Sequence, residues 1–275
     1  MMNRRHWISG MLASRACLAV APSEVAVADE SPPAPNAERD ERQQQIESQL
    51  SDIEAAEVAK WQKELDALPS IDATKPESID RLSRRGDLRF FLRQFEDAVA
   101  DYEAMEQLDR TIAASHWRLG IARYYAGQFE QAAAVFDRYH SFDNVDRENG
   151  IWRYLAHRSA FGREAARQQL LKYERDDRPP FREVYQLFDG SLDAAAVLAS
   201  IPDTLPADAR NSRRFYAHLY IGLSHHAEGD HQAARVALQE AVLNEWPKSA
   251  GFGPHWMWQV GRIELASLES PKASR

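Results

Sequence analysis

The sequence predicts an all-α protein: a right-handed α-solenoid of about five antiparallel helix pairs, one of them degenerate, with an amphipathic helix before it and a capping helix after it. Two observations carry this expectation. GDLRFFLRQFEDAVADY (Gly86 to Tyr102) aligns beneath GIARYYAGQFEQAAAVF (Gly120 to Phe136) so that Gly meets Gly, Phe95 meets Phe129, Ala98 meets Ala132 and Tyr102 meets Phe136, each at an offset of 34 residues. The same pattern returns three periods later at Gly222, Ala234 and Leu238, after an intervening break. Composition agrees, because 275 residues of which 44% are hydrophobic suffice for one or two folded units with a sizeable core.

The N-terminus reads as an export signal over residues 1–28. In NRRHWI, Arg4 and Arg5 precede a spacer and two apolar residues, Trp7 and Ile8, which is the twin-arginine pattern. An apolar stretch follows, and then AVADE, where Ala26 and Ala28 have the spacing a signal peptidase accepts. Arg15 and Glu24 interrupt the pattern, and a frayed cytoplasmic N-terminus is the alternative. Cys17, the only cysteine, lies in this segment; Ser14 and Arg15 stand where a lipidated cysteine has a Leu-small-small run, so anchoring through Cys17 has weak support. Cleavage after Ala28 would remove the one thiol and, with it, disulfides and thiol catalysis. No later stretch approaches the roughly 18 uninterrupted apolar residues of a membrane span, and the expected product is a soluble periplasmic protein.

Residues 29–42, DESPPAPNAERDER, have too little apolar surface to order themselves and read as a linker. Over residues 43–70, Ile46, Leu50, Ile53, Val58, Trp61, Leu65 and Leu68 form a stripe at mostly helical intervals. Such a helix could pack on the main body, cap it, or pair with a second copy. TKPE then offers Thr74 as a helix cap, Pro76 in the first turn and Glu77 three residues after the threonine, opening a unit expected to run over residues 75–267. Residues 268–275 read as a disordered tail.

A 34-residue period with small residues at these places resembles the tetratricopeptide (TPR) repeat, two antiparallel helices per unit. Gly86, Gly120 and Gly222 let the first helix approach its partner. Gly127 and Gly229 end it, Ala98, Ala132 and Ala234 sit where the second helix presses on the first, and Tyr102, Phe136 and Leu238 fill the space beyond. Ala166 and Leu170 keep the register, although Tyr154 stands where a glycine would. VYQLFDGSLDAAAVLASI reads as a degenerate pair turning at Gly190, with Ala195 and Leu198 as packing residues and loops at RDDRPP and PDTLPADARNSRR. A last helix from near His255 is expected to close the exposed end of the stack with Trp256, Val260 and Ile263.

From about Arg81 to Leu265 the order of segments resembles the NlpI-like lipoproteins of bacterial envelopes. The resemblance implies a homodimeric periplasmic adaptor that holds a processing protease and peptidoglycan hydrolases together. It also places a partner-binding groove on the first helices: Phe90 with Phe91, then Trp117, Ile121, Tyr124 and Tyr125, then Ile151, Leu155 and Arg158, and finally Tyr216, Leu219, Leu223 and His226. Trp117, Tyr124 and Arg158 stand out, because Trp, Tyr and Arg supply much of the energy at interfaces; aromatics at helical spacing are otherwise ordinary packing.

Several functions find no support. The charge of −8 is interleaved with no basic stripe, which argues against nucleic acid. There is no Gly-rich phosphate loop, His-Glu-x-x-His helix or nucleophile elbow, and no cofactor is called for. His218 and His225 share a helix face near Asp230 and His231, which makes a metal-binding or enzymatic helical-repeat protein the first alternative. A purely structural homodimer is the second. The expectation is a non-enzymatic, protein-binding scaffold of the envelope.

Overall fold

A computed structural model describes residues 35–175 and 177–269, with side chains described for residues 39–268 apart from 176. The export signal, Cys17, the first part of the linker and the end of the tail therefore lie outside the described residues. Contacts divide the chain after Gln43, and the architecture below is that of residues 44–275.

The described residues form helices joined by turns and loops and contain no strand. Helix α1 spans Pro35–Asp66, so the helix begins inside the stretch read as a linker. A short 3-10 turn, Pro76–Ser78, leads into α2 (Ile79–Phe91) and α3 (Phe95–Leu108). Then come α4 (Trp117–Tyr125) with α5 (Phe129–Phe142), and α6 (Arg147–Phe161) with the short α7 (Arg163–Gln168). The series continues with α8 (Phe181–Asp189) and α9 (Ala194–Ala199), then α10 (Ala207–Glu228) and α11 (His231–Leu243). It closes with α12 (Trp246–Ser249) and α13 (Phe252–Glu269). Neighbours in sequence pack on one another from α2 to α7 and from α10 to α11, while α8 bridges α6 and α10.

The glycines at the 34-residue register sit under large side chains. A Cβ on Gly86 would lie 2.6 Å from the Tyr102 ring, one on Gly120 2.6 Å from Phe136, and one on Gly222 2.6 Å from Leu238. Ala98, Ala132 and Ala234 are fully buried beside them. Gly127 (φ +75°) and Gly229 (φ +84°) take the left-handed conformation that turns each first helix into its second. Arg93, at the equivalent position one period before Gly127, adopts φ 62° without being glycine, and its guanidinium reaches Glu54 on α1. In α6 the close approach has moved one turn earlier than Tyr154: a Cβ on Gly150 would collide with Tyr173 and Tyr185.

Three local expectations need correction. Thr74 is not a helix cap; its hydroxyl donates to Asp72 at 2.6 Å, and the backbone turns at Lys75 without a side-chain cap. In the degenerate pair, Ala195 is exposed and Val197 is buried. Asp193 caps α9 by accepting from Ala196 N, which sets Ala194, Val197, Leu198 and Ile201 on the inner face at helical spacing.

Helix α13 is the third. An end cap would have one wet face, yet Trp256 to Leu265 is buried at every position. The helix packs on α11 and α12 and reaches back to α2. Trp256 stacks on Phe90 with ring centroids 4.5 Å apart and meets Trp117 edge-on at 4.9 Å. Its indole N–H donates to Asp87, a buried carboxylate that also accepts from the Tyr102 hydroxyl at 2.6 Å and from Arg118 at 2.8 Å. Further along, the Arg262 guanidinium donates to the Phe91 carbonyl and pairs with Glu54. Leu50 and Trp61 of α1 are buried, with Trp61 5.2 Å from Phe91 and 5.9 Å from His255, so α1 packs on the main body.

Candidate functional site

A cavity of about 510 Å³ opens beside α13. Its apolar wall comes from Trp117 and Ile121 of α4, Phe136 of α5, Trp152 of α6, Trp246 of α12, and Pro254 and Met257 of α13. Its polar end is built from Asp146, Glu148 and Asn149 at the start of α6, Arg178 in the loop before α8, Tyr139 of α5, and Ser212 and Tyr216 of α10. This mixture of aromatic wall and convergent polar groups is the usual character of a binding site.

Local chemistry fixes the polar end. Asp146 caps α6, its carboxylate accepting from Glu148 N at 3.0 Å and Asn149 N at 3.4 Å. Glu148 accepts from the Tyr220 hydroxyl, which in turn accepts from Trp152 Nε1 at 3.2 Å. Arg178 lies over the Phe181 ring at 4.2 Å, pairs with Glu148, and reaches Asp177 at 3.3 Å and Asp146 at 3.8 Å. Asp177 also accepts from Arg147 N at 3.0 Å, which ties the loop to the start of α6.

Three carboxylates thus surround the Arg178 guanidinium. Burial pushes the Glu148 pKa up to about 7; Arg178 and the Tyr220 hydroxyl oppose the rise, while Asp146 and Asp177 add to it. Burial likewise raises Asp146, against the pull of Arg178 and with the push of Asp177. For Arg178, burial works against the charge, yet Glu148, Asp177 and Asp146 together raise its pKa. Asn149 is 4% exposed; its amide donates to the Phe136 carbonyl at 3.1 Å, but its Oδ1 has no hydrogen-bond partner among the described residues.

The expected groove residues divide between this cavity and the interior. Trp117, Ile121 and Tyr216 line the cavity. Phe90, Ile151 and Leu223 are buried, as are Phe91, Leu155 and Leu219. Tyr125 donates to Glu264 of α13 at 2.7 Å, and His226 lies against the same carboxylate. Tyr124 packs edge-on against Trp152 at 5.7 Å and Phe129 at 5.6 Å. Arg158 pairs with Glu228 at 3.4 Å and does not line the cavity. Much of the face expected to receive a partner thus receives α13.

His218 is half-buried, and desolvation lowers its pKa against the opposing effect of Glu240. His226 instead faces Glu264 and, ring to ring, His231 at 5.3 Å. Among the described residues, no group of three or more His, Cys, Asp or Glu is arranged to hold a metal ion. Nor is any described helix long and apolar enough to cross a membrane.

Repeat periodicity does not single out Asp146, Glu148, Asn149 or Arg178: the first three fall outside the repeat positions, and RDDRPP, which holds Arg178, reads as a loop. A signal was present: in DREN an Asp stands before a helical run with a Glu in the first turn, which marks a capped helix start, and RDDRPP gathers opposite charges in a short loop. No family model matches the sequence.

Proposed function

We propose that this chain is a non-catalytic partner-binding module of the TPR kind, exported to the bacterial envelope, whose working site is the cavity beside α13. The carrying observation is the aromatic cavity of about 510 Å³ with a polar end made by Asp146, Glu148, Asn149 and Arg178. Stacked helix pairs bind partners on the side lined by their first helices, and Trp117, Ile121 and Tyr216 supply that side here. The twin-arginine pattern and the resemblance to envelope adaptors support the location and the class of partner, including a processing protease and peptidoglycan hydrolases. Homodimerisation belongs to the same proposal.

The test places a photo-crosslinking residue at Ser212, on the cavity wall, and compares proteins captured in envelope extract with and without Trp117→Ala. The reading expects one or a few defined partners lost in the Trp117→Ala protein. Identical capture by both would contradict it.

A second reading has one specific observation behind it. A carboxyl group with a pKa near 7 at a cavity wall suits a general acid. Against it, Glu148 is engaged by Tyr220 and Arg178. The two readings separate in the fate of a captured partner: an acid catalyst alters it chemically in the wild type and leaves it unaltered in the Glu148→Gln protein, whereas a binding wall leaves its mass unchanged with both.

A further inference from the structure

The polar end of the cavity carries more negative than positive charge. Of the charged residues in its lining, Asp146 and Glu148 face the guanidinium of Arg178, which also contacts Asp177 outside the lining. An anionic ligand would add a fourth acid to this group. A cation would relieve it.

A second observation points the same way. Asn149 is 4% exposed, lines the cavity, and spends its amide N–H on the Phe136 carbonyl. Its Oδ1 is a buried acceptor with no donor among the described residues. Leaving such an oxygen unpaired costs about 1–3 kcal/mol, so the site favours a ligand rich in N–H donors. Arg178 already lies over the Tyr216 ring at 5.8 Å, so the aromatic part of this lining accommodates a cation.

We propose that the cavity takes the cationic head of an arginine or lysine side chain from a partner protein, with its apolar stem and neighbours against the Trp117 and Met257 wall. This rests on the cavity being the partner site and names what the partner presents. Lysine and arginine carry only donors, which suits Asn149 Oδ1 and the carboxylates together. The site needs a stem as well as a head, because its wall from Ile121 to Met257 is apolar and a bare ammonium would leave it empty.

Acidity should tune the binding. Glu148 faces Asp146 on its own helix, Asp177 and Arg178 from the loop, Tyr216 and Tyr220 from α10, and Tyr139 from α5. With its pKa near 7, it is mostly protonated at pH 5.5 and mostly charged at pH 8.

The experiment uses the immobilised full-length chain and three pools of seven-residue peptides, randomised except at the centre, which is arginine, its uncharged isostere citrulline, or glutamate. The arginine pool should be retained about tenfold more than the citrulline pool at pH 8, with the ratio falling several-fold at pH 5.5. Asp146→Asn and Glu148→Gln proteins should each lose most of the preference, and a Val236→Ser protein, altered at an exposed position of α11 outside the cavity lining, should keep it. Equal retention of the arginine and citrulline pools, or preference for glutamate, would overturn the proposal while leaving the Ser212 crosslinking result standing. No retention of any pool would overturn it as well. A third arm adds free agmatine and tetramethylammonium: displacement of the peptides by either at micromolar concentration would mark a small-molecule cation site and overturn the claim of a protein side chain.

Discussion

Gly120 and Phe136 face each other so closely that a Cβ on the glycine would sit 2.6 Å from the tip of the ring. The ring is fully buried and stacks on Trp152 at 6.5 Å, so it has little room to retreat. Gly120→Ala should therefore cost about 1–3 kcal/mol of overpacking, partly offset by the better helix propensity of alanine. Urea denaturation checks the size. Gly127→Ala should also destabilise, by about 1 kcal/mol, for a different reason: nothing lies within 4 Å of its missing Cβ, but φ is +75°. If both variants matched the wild type, the repeat register would have no packing basis.

Asp87 holds α2, α3, α4 and α13 together through Arg118, Tyr102 and Trp256. Replacing it by alanine strands a guanidinium whose side chain is only 15% accessible. A loss of about 3–5 kcal/mol is expected for Asp87→Ala, and a smaller one for Asp87→Asn, which keeps one acceptor. Thermal and chemical denaturation should rank the three proteins in that order.

Trp256 stacks on Phe90, so its removal tests whether α13 is an integral part of the body. Trp256→Ala should cost about 3–5 kcal/mol. Hydrogen exchange should quicken in α2 and α4 as well as in α13, because those helices lose their cover. Faster exchange confined to α13 would instead mean that the first helices stand without it.

Glu148 sets a pH dependence whose sign follows from its pKa. Its ordinary value of 4.5 rises to about 7 in the folded chain, so between these limits the folded state binds more proton than the unfolded one. Stability contributed by this group is present below pH 4.5 and falls as pH rises toward 7. Glu148→Gln should remove that slope and gain on the wild type by up to about 3 kcal/mol between pH 4.5 and pH 8. Denaturation midpoints across this range give the answer; a variant that loses stability at pH 8 relative to the wild type contradicts the assignment.

Much of the helical framework was legible because its reasons are local. A 16-residue spacing inside each unit brings Gly86 under Tyr102, Gly120 under Phe136 and Gly222 under Leu238, the 34-residue period repeats it, and Gly127 and Gly229 turn where left-handed backbone is needed. The place of α13 was not legible. Its apolar stripe of Trp256, Val260 and Ile263 marks one buried face, but Gln259, Arg262 and Glu264 are also buried, held by Glu57, Glu54 and Tyr125 from distant parts of the chain. Pairing across more than a hundred residues leaves no periodic trace. For the same reason Phe90, Tyr125 and His226 read as groove residues, although they contact α13 or the carboxylate it carries. The polar end of the cavity joins the start of α6 to a loop some 30 residues later through Arg147, Glu148, Asp177 and Arg178, and only the fold brings those charges together.

The central claim is that the carboxylates beside Arg178 pair with a positive charge on a partner. A double-mutant cycle measures this pairing, crossing wild type and Asp146→Asn with the best-retained arginine peptide and its citrulline counterpart at pH 8. Asparagine keeps the α6 cap, so the fold is preserved while one charge is removed. The account predicts a coupling of about 1 kcal/mol or more between Asp146 and the peptide guanidinium. Additive effects, with no coupling beyond error, would contradict it.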